Sequence, residues 1–251
     1  MKRIALILLA ACSMMTACNQ TQSIRTMTYN VRNCKGLDNI HSCERIANII
    51  LNENVEAVAL QELDSMTLRY PGQDMLQNLA DLTGMHPTYG ASIDYRGGKY
   101  GIGILTKEKP ISWQRIPLPC RSEPRSLLIV ELKKYYICST HLSLHDTDRD
   151  ASASIIIEKL RKLPKPVILA GDFNAEPGEL SIRTLSRYAK FMRGATERRT
   201  FPADHPAIEI DYISIFKSQA KDIREVNTYV VNAPVESDHR PLVSEFEFKK
   251  R

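Results

Sequence analysis

The sequence predicts a single α+β domain with strands and helices intermixed along the chain. Three observations lead there. Short apolar or alternating runs, bounded by proline, glycine and polar clusters, recur from residue 24 to residue 248. Between them lie segments with helical spacing and recognisable caps. No repeat, low-complexity tract or linker breaks residues 24–249. At 251 residues, 43% of them hydrophobic, the chain can bury a substantial core without staples.

Each element has its own signal. Ile24 to Val31 alternates as a strand and ends in Tyr29-Asn30-Val31, before a polar loop. Ser42 is placed to cap a helix through about Asn52, with Ile46, Ile49 and Ile50 inward. Val55 to Leu60 reads as a buried strand ending in Gln61-Glu62. Asp74 caps a helix that Gly84 stops. Pro87 to Ser92, Gly101 to Leu105 and Ser112 to Pro117 read as short strands. Leu127 to Leu132 and Tyr135 to Thr140 form a hairpin around Lys133-Lys134 that runs out into His141. A helix fits Asp148 to Lys162, with Ile155, Ile156 and Leu160 inward. Val167 to Ala170 is a buried strand leading into Gly171-Asp172-Phe173-Asn174. Pro177 suits the first turn of a helix through about Tyr188. Phe201 to Pro206 reads as loop, Ile208 to Ile215 as a strand holding Asp211, and Ile223 to Val231 as another. Val235 to Arg240 is polar loop, and Leu242 to Phe248 is a last, cleanly alternating strand.

The N-terminus stands apart from that domain. Lys2 and Arg3 precede the apolar run Ile4 to Ala11, which is too short for a bilayer span of about 20 residues and matches a bacterial export signal. Met15-Thr16-Ala17-Cys18 resembles a lipobox, so residues 1–17 are expected as an export signal. Cys18 is then the acylated residue, 18–23 a lipid-anchored tether and 24–251 the folded domain. Cys12 is an earlier match that would leave a very short leader. The expected location is that of an exported bacterial lipoprotein, periplasmic or at the outer membrane and cell surface, touching the membrane through its lipid alone. Cleavage removes two positive charges and no acids, so +5 less two leaves +3, too little to argue a polyanion partner. Cys34, Cys43, Cys120 and Cys138 allow three disulfide pairings, of which Cys34 with Cys43 closes most easily, or can stay reduced. The absence of a Cys-x-x-Cys pair speaks against zinc.

The chemistry-bearing residues gather at strand ends and in the loops just beyond them. Asp172 and Asn174, two apart in extended backbone, leave their strand on the same side. Alone they make an ordinary turn. With Asn30, Glu62, His141, Asp211, Asp238 and His239 in equivalent places, they supply oxygen ligands and imidazoles without cysteine, a set suited to magnesium or manganese and phosphate esters.

In order, Thr28-Tyr29-Asn30-Val31, Gln61-Glu62, Ser139-Thr140-His141-Leu142, Gly171-Asp172-Phe173-Asn174, Ile210-Asp211-Tyr212-Ile213 and Ser237-Asp238-His239 resemble the endonuclease/exonuclease/phosphatase superfamily, which shares the fold of pancreatic deoxyribonuclease. The resemblance spans nearly all of residues 24–248. It implies two stacked mixed β-sheets with helices on both outer faces, a four-layer α/β/β/α sandwich. It further implies that Asn30, Glu62 and Asp238 form the metal end, holding Mg2+ or Mn2+. Asp172 and Asn174 would hold the nucleophilic water and the phosphate, or a second metal. Asp211 and His239 would be the carboxylate–imidazole pair, and His141 the phosphoryl contact. Tyr100 and Arg125 sit where relatives often place phosphate-facing side chains.

Phosphodiester hydrolysis needs a cation and donors near phosphorus, and a base to activate water. His239 oriented by Asp211 meets the last need. Asp172 as the base, with His239 as an electrostatic group, is the alternative. The expected activity is a metal-dependent phosphodiesterase acting as a monomer on nucleic acid, a lipid head group or a small molecule. The alternatives are a phosphomonoesterase for inositol phosphates or nucleotides, and a binding module without catalysis.

Overall fold

In a computed structural model, which describes residues 23–194, 198–218 and 223–248, two parallel strand pairs set the frame. The first strand, β1 (Ser23–Asn30), runs through a 3-10 turn (Arg32–Cys34) into helix α1 (Cys43–Glu53) and returns as β2 (Ala57–Ser65), parallel to β1. The chain continues as α2 (Met75–Thr83), β3 (His86–Tyr95), β4 (Gly98–Thr106), β5 (Ser112–Leu118) and β6 (Arg125–Glu131). The second parallel pair is β7 (Tyr136–His141) and β8 (Val167–Asp172), bridged by α3 (Asp146–Leu160). Then follow α4 (Leu180–Ser186), β9 (Ala189–Phe191), β10 (Asp211–Phe216), β11 (Ile223–Val230) and β12 (Leu242–Phe248). A parallel connection must cross back over the sheet, so α1 and α3 each cover an outer face. The expected export signal, the expected lipid site Cys18 and all of the expected tether but Ser23 lie outside the described residues.

Two six-stranded mixed sheets result, ordered β11-β12-β1-β2-β4-β3 and β5-β6-β7-β8-β10-β9. Their strands bury side chains on both faces, which makes three apolar layers. The middle one, with Ala59, Ile104, Leu128, Ile168, Ile213 and Phe246, joins the sheets. The outer ones pack α1 and α2 on the first sheet through Ile46, Ile50, Leu76 and Leu79, and α3 and α4 on the second through Ile156, Leu160, Ile182 and Leu185. This is the four-layer α/β/β/α sandwich that the sequence predicts.

The expected caps hold. Ser42 accepts a hydrogen bond from the Arg45 N–H, Asp74 accepts one from Gln77, and Gly84 ends α2 at φ 69°. Ile49 and Ile155 are half-buried rather than fully inward. Helix α3 starts two residues earlier than its pattern suggests, at Asp146.

Three boundaries differ for physical reasons. Strand β2 does not stop at Glu62. Its pairing with β4 shifts between Leu60 and Leu63, so Gln61 and Glu62 form a bulge inside a strand that runs on to Ser65. Pro177 is not in the first turn of α4. It lies in a turn closed by the Glu179 N–H on the Glu176 carbonyl, and the Glu179 carboxylate takes the Glu176 N–H, so α4 begins at Leu180. The helix also ends early, because Ala189 to Phe191 pair with β10 as an edge strand too short to carry a sequence signal.

Candidate active site

The C-terminal ends of β1, β7 and β8 and the bulge in β2 converge at one edge of the sandwich and deliver Asn30, His141, Asp172 and Glu62. Asn30 is buried and central. Its Nδ2 donates to Glu62 Oε1 (3.1 Å) and to Asp172 Oδ2 (3.0 Å), while its Oδ1 accepts the Arg32 N–H. One carboxamide thereby ties a residue of the first sheet to a residue of each. Beneath it Gln61, fully buried, accepts from Thr28 and donates to Ser139 Oγ (3.3 Å), which pins the sheets together below the site.

The bulge explains Glu62. With φ at +61°, a left-handed conformation rare for a side chain of this size, its carboxylate is re-aimed from the sheet toward the site. Burial raises its pKa, partly countered by the Asn30 hydrogen bond, and the charge of Asp238 raises it further. Asp238, one-third exposed in the β11–β12 connection, faces the Arg32 guanidinium at 3.6 Å.

Asp172 needs Gly171 before it. A Cβ on Gly171 would stand 2.2 Å from the Thr140 carbonyl oxygen, so only glycine lets β8 approach β7 so closely. The Asp172 Oδ1 accepts the Asn174 N–H (2.9 Å), and Asn174, itself left-handed at φ 48°, donates to the Leu142 carbonyl. The other oxygen, Oδ2, lies 3.5 Å from His141 Nε2 and 3.7 Å from His239 Nε2. Burial and the neighbouring Asp211 push the Asp172 carboxyl up to about 7.

Asp211 opens β10 directly opposite Asp172 on β8. It accepts His239 Nδ1–H at 2.8 Å and the Thr200 hydroxyl at 2.5 Å, and its second oxygen is buried without a partner among the described residues. Phe201 packs against the His239 ring at 4.8 Å. Burial alone would lower the His239 pKa, but Asp211 and Asp172 together overcome it and hold the imidazole at about 10.

His141 is the opposite case. Arg125 Nη1 lies 3.0 Å from His141 Nδ1, and a guanidinium has only donors, so Nδ1 accepts and the proton sits on Nε2, facing the site. Burial, then Arg125, then His239 push its pKa well down, which keeps the ring neutral. Arg125 also pairs with Glu123 (2.7 Å), as expected of a structural arginine, yet it is buried and touches the site through His141. Tyr100 stands on β4 beside the bulge. Burial and the nearby Glu62 charge raise its phenol far above the ordinary value, so it remains a neutral donor.

All ten predicted site residues of the domain are therefore at this edge. Two carboxylates, Glu62 and Asp172, are buried with raised pKa values, and Asp211 has a buried oxygen with no partner among the described residues, so the residues present fit a bound cation. Ligand atoms of Asp172, Asp211 and His239 also lie within 4.8 Å of one another. Of those, His239 Nδ1 and Asp211 Oδ2 already satisfy each other, whereas Asp211 Oδ1 has no partner among the described residues; at the other end Glu62 Oε1, Asn30 Oδ1 and Asp238 are each engaged by a neighbour. Sequence reasoning gave no role to Arg32 or Ser237. Ser237 donates to the Asn30 carbonyl (2.7 Å) and so locks the loop of Asp238 onto β1. Only its place in Ser237-Asp238-His239 could have signalled this.

A four-layer sandwich with an acid–imidazole cluster at one edge defines a class of hydrolase fold. Residues 27–245 match the model of the endonuclease/exonuclease/phosphatase family, and the chain belongs to that family, whose members are phosphoester hydrolases. No curated protein sequence matches it. Among solved structures it is similar to an endonuclease/exonuclease/phosphatase from Bacteroides vulgatus (17% identity, 91% of this chain and 100% of that one, TM-score 0.74). It is also similar to a mannosyl-6-phosphatase from Bacteroides thetaiotaomicron (18%, 90% and 100%, 0.70). A third is the human Nocturnin catalytic domain with a bound sulfate anion (21%, 90% and 94%, 0.69). At these identities the likeness is one of fold.

Proposed function

We propose that this chain is a divalent-cation-dependent phosphodiesterase. The carrying observation is the cluster in which Asn30 bridges Glu62 and Asp172 while two imidazoles of opposite character flank Asp172. Glu62, Asn30 and Asp238 would hold Mg2+ or Mn2+, which when bound supplies charge neutralisation at the phosphate oxygens.

The residues of the chain do the rest. His141 presents Nε2–H to a phosphoryl oxygen, in the tautomer that Arg125 dictates. Asn174 and Asp172 position the attacking water. Its proton passes to the Asp172–His239 pair. Asp172, held near neutral, suits the acceptor better than His239, whose stabilised imidazolium serves as a fixed positive charge beside the phosphorus. Sequence reasoning put His239 first as base and Asp172 second; the surroundings of the two groups favour the reverse order. Asp211 keeps Nδ1 protonated and Nε2 turned inward.

A phosphomonoesterase is the second reading, supported by the structural neighbour that is named a mannosyl-6-phosphatase. Hydrolysis of bis-p-nitrophenyl phosphate beside p-nitrophenyl phosphate, with magnesium, manganese or chelator, tests both. Preference for the diester with loss under chelation is expected. Turnover of the monoester alone would favour the second reading, and turnover of neither would leave a binding module.

A further inference from the structure

Arg32, Asn33 and Cys34 are three consecutive non-glycine residues with positive φ, at 44°, 56° and 56°. Side chains rarely accept that region even singly, so the turn persists only if its surroundings fix it. It follows β1 directly and touches the active-site edge twice, through the Arg32 N–H on Asn30 Oδ1 and the Arg32 guanidinium near Asp238. Its own backbone bonds are local, from Cys34 to Val31 and from Lys35 to Arg32. A bridge between Lys35 and His41, and the Ser42 N–H on the Cys34 carbonyl, fold the following loop back against the start of α1.

Beneath that loop the Sγ atoms of Cys34 and Cys43 lie 2.9 Å apart, both thiols free and buried in the layer between α1 and the first sheet. The other two described cysteines are placed elsewhere. Cys120 is half-buried and hydrogen-bonded to Ser143, and Cys138 is fully buried in the outer layer of the second sheet. Among these four cysteines, Cys34 and Cys43 are the pair already in contact.

We propose that Cys34 and Cys43 form an intrachain disulfide that anchors the strained turn to the first turn of α1. The S–S bond forms as the two thiols lose two protons and two electrons. A low-molecular-weight disulfide such as glutathione disulfide accepts the electrons and leaves as two thiols, through a mixed disulfide. The sulfurs are adjacent, so closure needs only side-chain adjustment. The cross-link holds Arg32 against Asp238, and it does not depend on which phosphate ester the site takes.

The test is a peptide map of the purified full-length chain, equilibrated with glutathione disulfide, then denatured, alkylated with iodoacetamide and cut with trypsin. Cleavage after Arg32, Lys35 and Arg45 should give Asn33–Lys35 joined to Gly36–Arg45, separated by reductant, with Cys120 and Cys138 carbamidomethylated. Reduction should lower the thermal midpoint and speed amide exchange across residues 31–42. Cys34→Ser and Cys43→Ser should each reproduce the reduced midpoint, without adding in the double variant. Alkylation of both Cys34 and Cys43 after oxidation, a bond to Cys120, or equal midpoints in the two redox states would overturn the proposal. The wild-type map decides even if a serine variant fails to fold.

Discussion

Asp172 and Asp211 are register partners on neighbouring antiparallel strands, so two buried carboxylates enter the site side by side. Like charges so placed cannot both ionise without compensation. His239 supplies it, bonded to Asp211 at 2.8 Å and standing 3.7 Å from Asp172. The arrangement stores electrostatic cost where phosphate chemistry needs it.

That cost should appear as pH-dependent stability. Asp172 has a folded pKa of about 7, above its ordinary 3.8, so its contribution is full below 3.8 and is lost as pH rises through about 7. Asp172→Asn removes the ionisation. Without divalent cation, the variant should match the wild type near pH 4 and exceed it at pH 8 by about 1–3 kcal/mol. Urea unfolding at the two pH values measures this; a variant less stable at pH 8 would contradict it. For His239, raised from 6.5 to about 10, stabilisation is full below 6.5 and lost as pH rises through about 10.

Glu62→Gln should separate cation binding from folding. The amide keeps the shape and the Asn30 contact but removes a carboxylate whose burial is unfavourable. Wild-type stability should rise by about 2.7 kcal/mol when magnesium reaches 100 times its Kd, and the variant should show little of that rise. Thermal unfolding across a magnesium titration reads it. An equal magnesium effect in both proteins would remove Glu62 from the metal end.

His141 and Arg125 should behave as one unit. Loss of a donor to the phosphoryl oxygen costs about 10²–10³ in kcat, the range expected for His141→Ala. Arg125→Met leaves the ring but frees its tautomer, so a smaller loss is expected. The double variant should match His141→Ala. Multiplying losses would mean that Arg125 contacts substrate itself.

The order of elements was legible in the sequence because caps and alternation are local. Ser42, Asp74 and Gly84 mark helix ends through bonds made within four residues. Most of the candidate site residues were legible because they lie in short segments at or just beyond strand ends, Glu62 and Tyr100 being inside their strands. What stayed hidden depends on contacts between distant segments. The Gln61–Glu62 bulge is a mismatch between β2 and β4, visible in neither strand alone. The tautomer of His141 is set by Arg125, sixteen residues away on the partner strand. The choice between Asp172 and His239 depends on Asp211 and Thr200, brought in by a third strand and a loop.

The N-terminal expectation remains a proposal with its own test. Ala17-Cys18 followed by a polar tether predicts acylation at Cys18. Mass spectrometry of the membrane fraction should find a lipid-modified N-terminal cysteine. An intact Met1 start in the cytoplasm would reject it.

The sharpest prediction concerns which group takes the proton of water. If Asp172 does, the acidic limb of the pH–rate profile reports its carboxyl. Asp172→Asn should then abolish the limb along with most turnover, by about 10²–10⁴-fold. His239→Ala should lower turnover as well, since a fixed positive charge is lost, but the limb should survive. It should also move to higher pH, because the imidazolium is one of the influences that lower the Asp172 pKa. Asp211→Asn withdraws support from His239 and also removes a charge that raises the Asp172 carboxyl, so the limb should move to lower pH, and on the plateau above it the change should weaken the wild type yet add little to His239→Ala. A limb that vanishes in His239→Ala and persists in Asp172→Asn would reverse the assignment and make His239 the base. Losses that multiply between His239→Ala and Asp211→Asn would show instead that Asp211 acts on the substrate or cation directly, through the oxygen that has no partner among the described residues.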